Sequence, residues 1–242
     1  MPGASAYEPE PKNPKPKVWS VDGILQLVVT MGLWVGSVFA SAGRLNWTRG
    51  WICVVAVLGL YAVCAALVQR GNPALLDART NWRHKDTKPF DRVFLALCFP
   101  LYFAQPVVAG LDAVRFRWSS MPFATVYAGI ALLVLAMALA TWAMLVNPFA
   151  ESTVRIQTER QHSTVTAGPY RIVRHPLYVG AIVMFPATGL IFGSVLATAV
   201  GVLLAVLFVW RTAMEDRTLR RELPDYEAYA AKTRYRLIPG VW

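Results

Sequence analysis

The distribution of charged residues constrains the fold of this chain more than any other feature of its sequence. The chain has 24 Lys and Arg residues and 14 Asp and Glu residues, yet long runs contain none of them. These uncharged runs cover residues 23–43, 50–69, 93–111, 118–150 and 175–210. Because a membrane-spanning helix needs about 20 mostly apolar residues, each of the first four runs predicts one span. With 56 % hydrophobic residues, the sequence therefore indicates an integral membrane protein.

The last uncharged run is too long for a single span. One helix over residues 175–210 would reach roughly 54 Å at about 1.5 Å per residue, well beyond a hydrocarbon core of about 30 Å. We expect this run to fold back near Gly193-Ser194, as helices of about 177–192 and 195–211. The predicted fold class is an all-α integral membrane bundle of five to six spans that ends in a helical hairpin.

Lys and Arg residues distinguish the two sides of the predicted bundle. Twenty of them lie in the N-terminal tail, the 70–92 loop, the 151–174 segment and the C-terminal tail, against four in the other two loops. Because cytoplasmic loops are enriched in Lys and Arg, both termini are predicted to be cytoplasmic. The net charge of +10 also favours contact with anionic lipid. No basic stretch accompanies a soluble fold, so a nucleic-acid partner is not expected.

Three regions are expected along the chain. Residues 1–17 are rich in Pro, Lys and Glu, a composition typical of a disordered tail. Residues 18–146 hold the N-terminal spans, and residues 147–242 form a third region that holds the hairpin and the polar motifs around it. Between the second and third spans, the 70–92 loop is interpreted either as a solvated loop with a short interfacial helix at 73–79 or as a lid over the cytoplasmic side.

The remaining polar and sulfur-containing residues inside the spans indicate packing. Gln105 lies beside Pro106, where it either satisfies backbone carbonyls that a proline leaves free or lines a cavity; we favour packing. The three cysteines all lie in predicted spans without metal-type spacing, so neither a disulfide framework nor a metal site is expected.

The most unusual stretch is residues 168–180, which reads Gly-Pro-Tyr-Arg-Ile-Val-Arg-His-Pro-Leu-Tyr-Val-Gly. Pro176 suits the first position of a helix, where no backbone N–H is needed. Arg174 and His175 are therefore expected at the water-facing mouth of a membrane helix. Arg, His and Tyr at this depth are often only interfacial anchors, so the stretch alone leaves anchoring and function as alternatives.

A second polar cluster follows the predicted hairpin. Arg211 and Glu215 are four residues apart on one helical face, a spacing that stabilises a helix end by a few tenths of a kcal/mol (~0.2–0.5). Charged residues at the end of a membrane helix are costly to desolvate, which also makes them functional candidates. Beyond them, Tyr226 and Tyr229 share one face of a short amphipathic helix.

The order and spacing of these motifs resemble the isoprenylcysteine carboxyl methyltransferase family, within the wider group of phospholipid N-methyltransferases. The resemblance covers about residues 147–242: the 168–180 motif, an apolar hairpin, Arg-x-x-x-Glu-Asp, and Tyr-x-x-Tyr-x(4)-Arg-Tyr-Arg-Leu-Ile-Pro. It implies a helical membrane bundle that binds S-adenosylmethionine at its cytoplasmic face and receives a lipophilic acceptor from the bilayer.

The resemblance also implies roles for individual residues. Arg211 and Glu215 would be catalytic, with Arg211 beside the acceptor. The acidic pair, usually Glu-Glu in the family, is Glu215-Asp216 here, which puts a direct cofactor contact of Asp216 in doubt. The implied cofactor-binding residues are Tyr170, Arg174, His175, Pro176, Tyr178, Gly180, Glu215, Asp216, Tyr229, Arg234, Tyr235 and Arg236.

Two other functions stay open from the sequence. Sterol reductases share a similar C-terminal bundle and a related Tyr-rich ending, so an NADPH-dependent membrane reductase is one alternative. A non-catalytic transporter or assembly protein is the other, although no inverted repeat stands out. Within the methyltransferase interpretation the acceptor is undecided among a prenylated cysteine carboxylate, a phospholipid amine and a small thiol or other amphiphile.

Overall fold

A computed structural model of the chain describes residues 21–80 and 84–242. The expected disordered tail, 1–17, lies outside these residues. No β-strand occurs within the described ranges. The α-helices are α1 (Val21–Ala42), α2 (Thr48–Gly71), α3 (Pro73–Thr80), α4 (Pro89–Gly110), α5 (Ala124–Val146), α6 (Pro176–Phe192), α7 (Val195–Glu222) and α8 (Tyr226–Lys232).

Five of these helices are long and apolar enough to cross a membrane, which confirms the all-α integral membrane class. They are α1, α2, α4 with the π-helical turn Leu111–Arg115 that continues it, α5 and α7. The sixth apolar helix, α6, has only 17 residues, fewer than the roughly 20 that a full crossing needs. A short helix is present at the position predicted for one, as α3.

The hairpin turns at the predicted position. Gly193 ends α6 with φ +75°, a left-handed conformation that costs a residue without Cβ little. The next residue, Ser194, is the N-cap of α7, and its Oγ accepts a hydrogen bond from Ala197 N at 2.9 Å. The prediction that α7 ends near 211 is wrong, because the helix continues through Glu222 and carries Arg211, Glu215 and Asp216 on regular turns.

Small residues set the distance of α6 from its two neighbours. A Cβ placed on Gly180 would lie 2.7 Å from Ala136 O on α5, and one on Gly201 of α7 would lie 2.6 Å from Phe185 O. Both distances are shorter than a carbon and an oxygen tolerate, so glycine is required for this backbone approach. Gln105 of α4 joins the same group, because its Nε2 donates to Phe185 O at 2.7 Å and to Ala197 O at 3.1 Å. The packing interpretation of Gln105 is the one that this geometry supports.

The C-terminal tail docks against the 168–180 motif through its backbone. Arg174 N donates to Tyr235 O at 2.9 Å, and His175 N donates to Arg236 O at 3.0 Å. The Tyr229 hydroxyl on α8 donates to Tyr170 O at 2.7 Å. These bonds bring α8 and the tail over the start of α6.

Candidate active site

Two cavities meet at the start of α6. The first, called the polar cavity below, is lined by residues of the 147–177 segment and by Tyr178, Glu215, Leu219, Leu223, Tyr226 and Tyr229. Its lining includes two carboxylates, two guanidinium groups and two His rings, contributed by Glu151, Glu215, Arg155, Arg174, His162 and His175. Tyr170, Tyr226 and Tyr229 supply aromatic walls. This cavity offers both signs of charge and several π-faces.

The second cavity, called the apolar cavity, lies among α2, α3, α5, α6 and α7. At about 310 Å³ it is larger than the polar cavity, at about 90 Å³. Most of its lining is aliphatic or aromatic, and its charged lining residues are Arg79, Glu151 and Arg211. A cavity that is mostly apolar with a few convergent polar groups is the usual form of a binding site for a lipophilic ligand.

Tyr178 forms part of the wall between the two cavities, together with Leu177 and Glu151, which also line both. The Tyr178 hydroxyl donates a hydrogen bond to Glu215 Oε2. Its ring stacks on His175 with 5.7 Å between centroids and faces the Arg211 guanidinium at 5.2 Å. One side chain thus contacts a group from each cavity.

Arg211 is held by α4 and by the segment after α5. Its Nε lies 2.8 Å from Asp91 Oδ1 in an ion pair whose angle is not that of an aligned hydrogen bond. Its Nη2 donates to Ser152 O at 2.9 Å, and the guanidinium faces the Phe94 ring at 4.5 Å. Asp91 is fully buried, and its other oxygen accepts from Val154 N at 2.8 Å. Arg211, on α7, is therefore positioned by α4 and by the segment after α5.

Asp216 binds the tail to the motif rather than lining either cavity. It is fully buried and accepts from Arg174 Nε at 2.7 Å, from Arg236 Nε at 2.8 Å and from the Tyr226 hydroxyl at 3.1 Å. Arg220 adds a further contact at 3.2 Å. Three guanidinium groups thus surround one carboxylate.

The residues predicted for the site fall into three groups in the structure. Six line the polar cavity: Tyr170, Arg174, His175, Tyr178, Glu215 and Tyr229. Arg211 and Gly180 line the apolar cavity together with Tyr178. The other predicted residues, Pro176, Asp216, Arg234, Tyr235 and Arg236, line neither cavity. Their roles, and those of the lining residues, stay predictions.

Sequence reasoning missed the residues that the other elements contribute. Asp91 lies 120 positions before Arg211, and a lone acidic residue at a helix start gives no signal of its partner. Glu151 belongs to no sequence motif, although its carboxylate lies 2.8 Å from Arg155 Nε and 3.4 Å from Arg160 Nη1. The one available signal was the density of charge at 151–160.

Burial affects the ionisation of groups around the polar cavity. It raises the pKa of Tyr229 to about 12, and burial with the Asp216 charge raises the pKa of Tyr226 further above its usual range. Both hydroxyls therefore keep their protons at neutral pH. Burial lowers the pKa of His162 to about 4, so its ring is neutral under the same conditions.

The polar cavity has no arrangement typical of a metal centre. Over the part of the chain that the structure describes, no group of three or more His, Cys, Asp or Glu side chains is placed to hold a metal ion. The chemistry available from the described side chains is ion pairing, hydrogen bonding, aromatic stacking and proton transfer.

One region of the chain is similar to a known protein family. Residues 124–225 match the family model described as phospholipid methyltransferase. That range holds α5, the 168–180 motif and the hairpin, and it confirms the resemblance seen in the motifs. The match supports a membrane methyltransferase.

Two curated proteins are similar over a shorter stretch. The cobalt-zinc-cadmium resistance protein CzcN of Cupriavidus metallidurans is 34% identical over 79 residues, and the nickel-cobalt-cadmium resistance protein NccN of Alcaligenes xylosoxydans xylosoxydans is 33% identical over 79 residues. Each alignment covers 32% of this chain and 37% of the relative. The chain thus matches little more than a third of the length of either relative.

Proposed function

We propose that this protein is an S-adenosylmethionine-dependent methyltransferase that acts on a lipophilic acceptor from the bilayer, starting from the match of residues 124–225 to the phospholipid methyltransferase family. The single observation that carries the proposal is the pair of cavities that share the Tyr178 wall. A charged donor and an apolar acceptor differ in the surroundings they need, and adjacent cavities of opposite character suit such a pair.

The residues of the polar cavity fit the proposed cofactor by their chemistry. S-adenosylmethionine carries a sulfonium, an ammonium, a carboxylate and an adenine ring. Glu215 offers a carboxylate for a cationic group, His175 a ring nitrogen, and Tyr226 and Tyr229 offer aromatic faces. Arg174 would hold the tail in place beside the cavity, because its guanidinium is already bound to Asp216 and to the carbonyl oxygens of the tail. When bound, the cofactor supplies a methyl group on a positively charged sulfur that leaves as a neutral thioether.

The work of the chain in this reaction is positioning and exclusion of water. Arg211 faces the apolar cavity from a site held by Asp91 and Ser152 O, so it orients an acceptor group with little reorganisation. Tyr178 and Leu177 separate that cavity from the polar one. A carboxylate or thiolate acceptor needs no base. For an amine that carries a proton, Glu215 is the proton acceptor that lies beside the shared wall.

We place the site at the cytoplasmic face, as the excess of Lys and Arg in the same segments predicts. The 151–174 segment carries four Lys and Arg residues and residues 211–242 carry seven, together eleven of the 24. Both contribute to the polar cavity. A water-soluble cofactor would reach this face directly, while an amphiphile would reach the apolar cavity from the membrane.

The test is calorimetric binding to detergent-purified protein, with S-adenosylhomocysteine and S-adenosylmethionine compared against NADPH. We expect saturable binding of the two adenosyl ligands. His175→Ala and Glu215→Ala are expected to weaken that binding at least about tenfold, the effect of losing one charge-assisted hydrogen bond. Glu222→Ala is the matched control, because this glutamate lies on the same helix and pairs with Lys88 outside both cavities.

Binding of NADPH instead would favour the membrane reductase, and binding of neither ligand class would contradict the proposal. Adenosyl-ligand affinity equal to that of the unmodified protein in both variants would contradict the assignment of His175 and Glu215. Insertion of each variant is checked by its yield from purified membranes.

A further inference from the structure

Helix α3 lies outside the residues that match the methyltransferase family, yet it contributes to the apolar cavity. Leu76 and Arg79, three positions apart on one face of this helix, both line the cavity. Leu75, on the neighbouring face, is fully buried in the core and fixes the helix. Arg79 thus brings a guanidinium to a cavity whose other lining is mostly apolar.

The backbone that follows α5 holds Arg79 and Arg211 on the same side of this cavity. Arg79 Nη1 donates to Ala150 O at 2.6 Å and lies 3.4 Å from Glu151 O. Arg211 Nη2 donates to Ser152 O at 2.9 Å. Three successive carbonyl groups therefore orient two cationic side chains, while the Ser152 hydroxyl bonds back to Arg79 O at 3.0 Å.

The charge of Arg79 is not balanced in the way that the other charges of the cavity are. Arg211 has Asp91 at 2.8 Å, and Glu151 has Arg155 at 2.8 Å. Among the side chains that the structure describes, no ion pair joins Arg79 to a carboxylate. Burial, and then the positive charge of Arg211, lower the pKa of Arg79.

A cation beside an apolar cavity is costly unless an anion compensates it. Its carbonyl partners supply dipoles but no charge. A guanidinium has five N–H donors in a planar fork that matches an oxyanion, and two carbonyl contacts leave donors of Arg79 for a ligand. The missing counter-charge would therefore enter with the acceptor.

We propose that Arg79 binds a negatively charged group of the acceptor, so that α3 makes the apolar cavity selective for anionic amphiphiles. This inference rests on the proposed function, because it names the acceptor class of the same site. Arg79 acts as a specificity determinant, while Arg211 stays beside the reacting group. The anion has two possible sources: the reacting carboxylate or thiolate itself, or a phosphodiester next to the reacting group of a lipid.

The test uses direct binding of amphiphiles in neutral maltoside micelles without cofactor, so it is independent of methyl transfer. The probes are dodecanoate, methyl dodecanoate, dodecylamine and a short-chain phosphatidylglycerol. We expect the unmodified protein to bind at least one of the two anionic probes about tenfold more tightly than methyl dodecanoate or dodecylamine. Preference for dodecanoate assigns the anion to the reacting group, and preference for phosphatidylglycerol assigns it to a lipid phosphate.

Arg79→Gln should remove this preference and leave the affinity for methyl dodecanoate unchanged. Arg79→Lys, which keeps the charge, should retain part of the preference and covers the case in which the Gln variant does not fold. Arg70→Gln is the matched control, because Arg70 is an exposed arginine nearby on α2 that does not line the cavity. The proposal is overturned if the unmodified protein prefers dodecylamine or discriminates among none of the probes, or if a folded Arg79→Gln retains the anion preference.

Failure of this test is distinguishable from failure of the proposed function. Adenosyl-ligand binding is measured at the other cavity and does not involve Arg79. A protein that binds S-adenosylhomocysteine but shows no anion preference would keep the methyltransferase proposal and reject the role of Arg79. A protein that shows the anion preference without binding adenosyl ligands would keep the role of Arg79 in binding an anion and reject the methyltransferase proposal.

Discussion

Replacing Asp216 by Asn tests whether this carboxylate is a structural centre rather than a cofactor ligand. The variant keeps the size of the side chain and removes the charge that faces Arg174, Arg220 and Arg236. Asp216 is fully buried, and the Arg174 side chain is only 2% exposed. Removing one partner of a buried ion pair leaves the other charge uncompensated and costs about 3–5 kcal/mol.

We take about 3 kcal/mol as the expected loss, because Arg220 and Arg236 are partly exposed and water compensates them. For a chain of this size, a loss of about 3 kcal/mol corresponds to a fall in Tm of roughly 6–12 °C. The assay is thermal unfolding followed with a thiol-reactive fluorophore in a Cys98→Ser background, since Cys98 is only partly buried, whereas Cys53 and Cys64 are free and buried and react only when the bundle opens. No cofactor is added, so the measurement reports stability alone.

The matched control is Glu227→Gln, which removes a different carboxylate from the same Arg220. Glu227 is 68% exposed and lies 2.7 Å from Arg220 Nη1, so its loss should cost at most about 1 kcal/mol. The Asp216 variant should also lose the segment after Tyr226 to protease faster than the control does. A Tm equal to that of the control, together with lost S-adenosylhomocysteine affinity, would refute this reasoning and return Asp216 to the cofactor site.

Three further outcomes are expected. Arg211→Lys should lower turnover by up to about 100-fold through misplacement of the acceptor, with S-adenosylhomocysteine affinity unchanged in calorimetry; an equal loss of both would move Arg211 into the cofactor site. Gly201→Ala should lower the free energy of unfolding by about 1–3 kcal/mol, because its Cβ would meet Phe185 O at 2.6 Å, whereas Gly59→Ala, with nothing within 4 Å, should not. Because burial lowers the pKa of His162 to about 4, the unfolded chain takes up a proton near pH 6.5 before the folded protein does. Stability should therefore fall as the pH drops from 6.5 towards 4, and a Tm series in which His162→Gln falls as steeply as the unmodified protein would contradict this.

The fold was largely accessible from the sequence because membrane helices are defined by local composition. Each of the first four uncharged runs forms one helix, and the last forms α6 and the first part of α7. Gly193-Ser194 turns the hairpin because a left-handed glycine and a capping serine are local signals. The end of α7 was predicted wrongly for a related reason. The absence of charge shows only which part of a helix is apolar. The helix itself extends as far as its residues favour helix and keep their backbone hydrogen bonds, here through Glu222.

The site was accessible only in part, because its contacts join distant segments. The motif residues that line the polar cavity carried a sequence signature. Residues contributed by other elements carried none: Asp91, which pairs with Arg211, lies on α4, and Arg79 lies on a helix without a family signature. The role of Asp216 was also not predictable from its position in the sequence. Its position beside Glu215 suggested a shared role, but successive helical residues point in different directions, so one carboxylate reaches the cavity and the other reaches the tail.

The close approach of α5 and α6 at Gly180 also determines how the acceptor range of this protein could be engineered. A larger side chain there would meet Ala136 O at 2.7 Å, so that wall of the apolar cavity offers no room for redesign. Another wall is formed by α2, where Cys64 and Ala65 line the same cavity. Variants at these two positions would change the length and width of the acceptor chains that the cavity admits. The close contact at Gly180 would meanwhile keep Tyr178 in place between the two cavities.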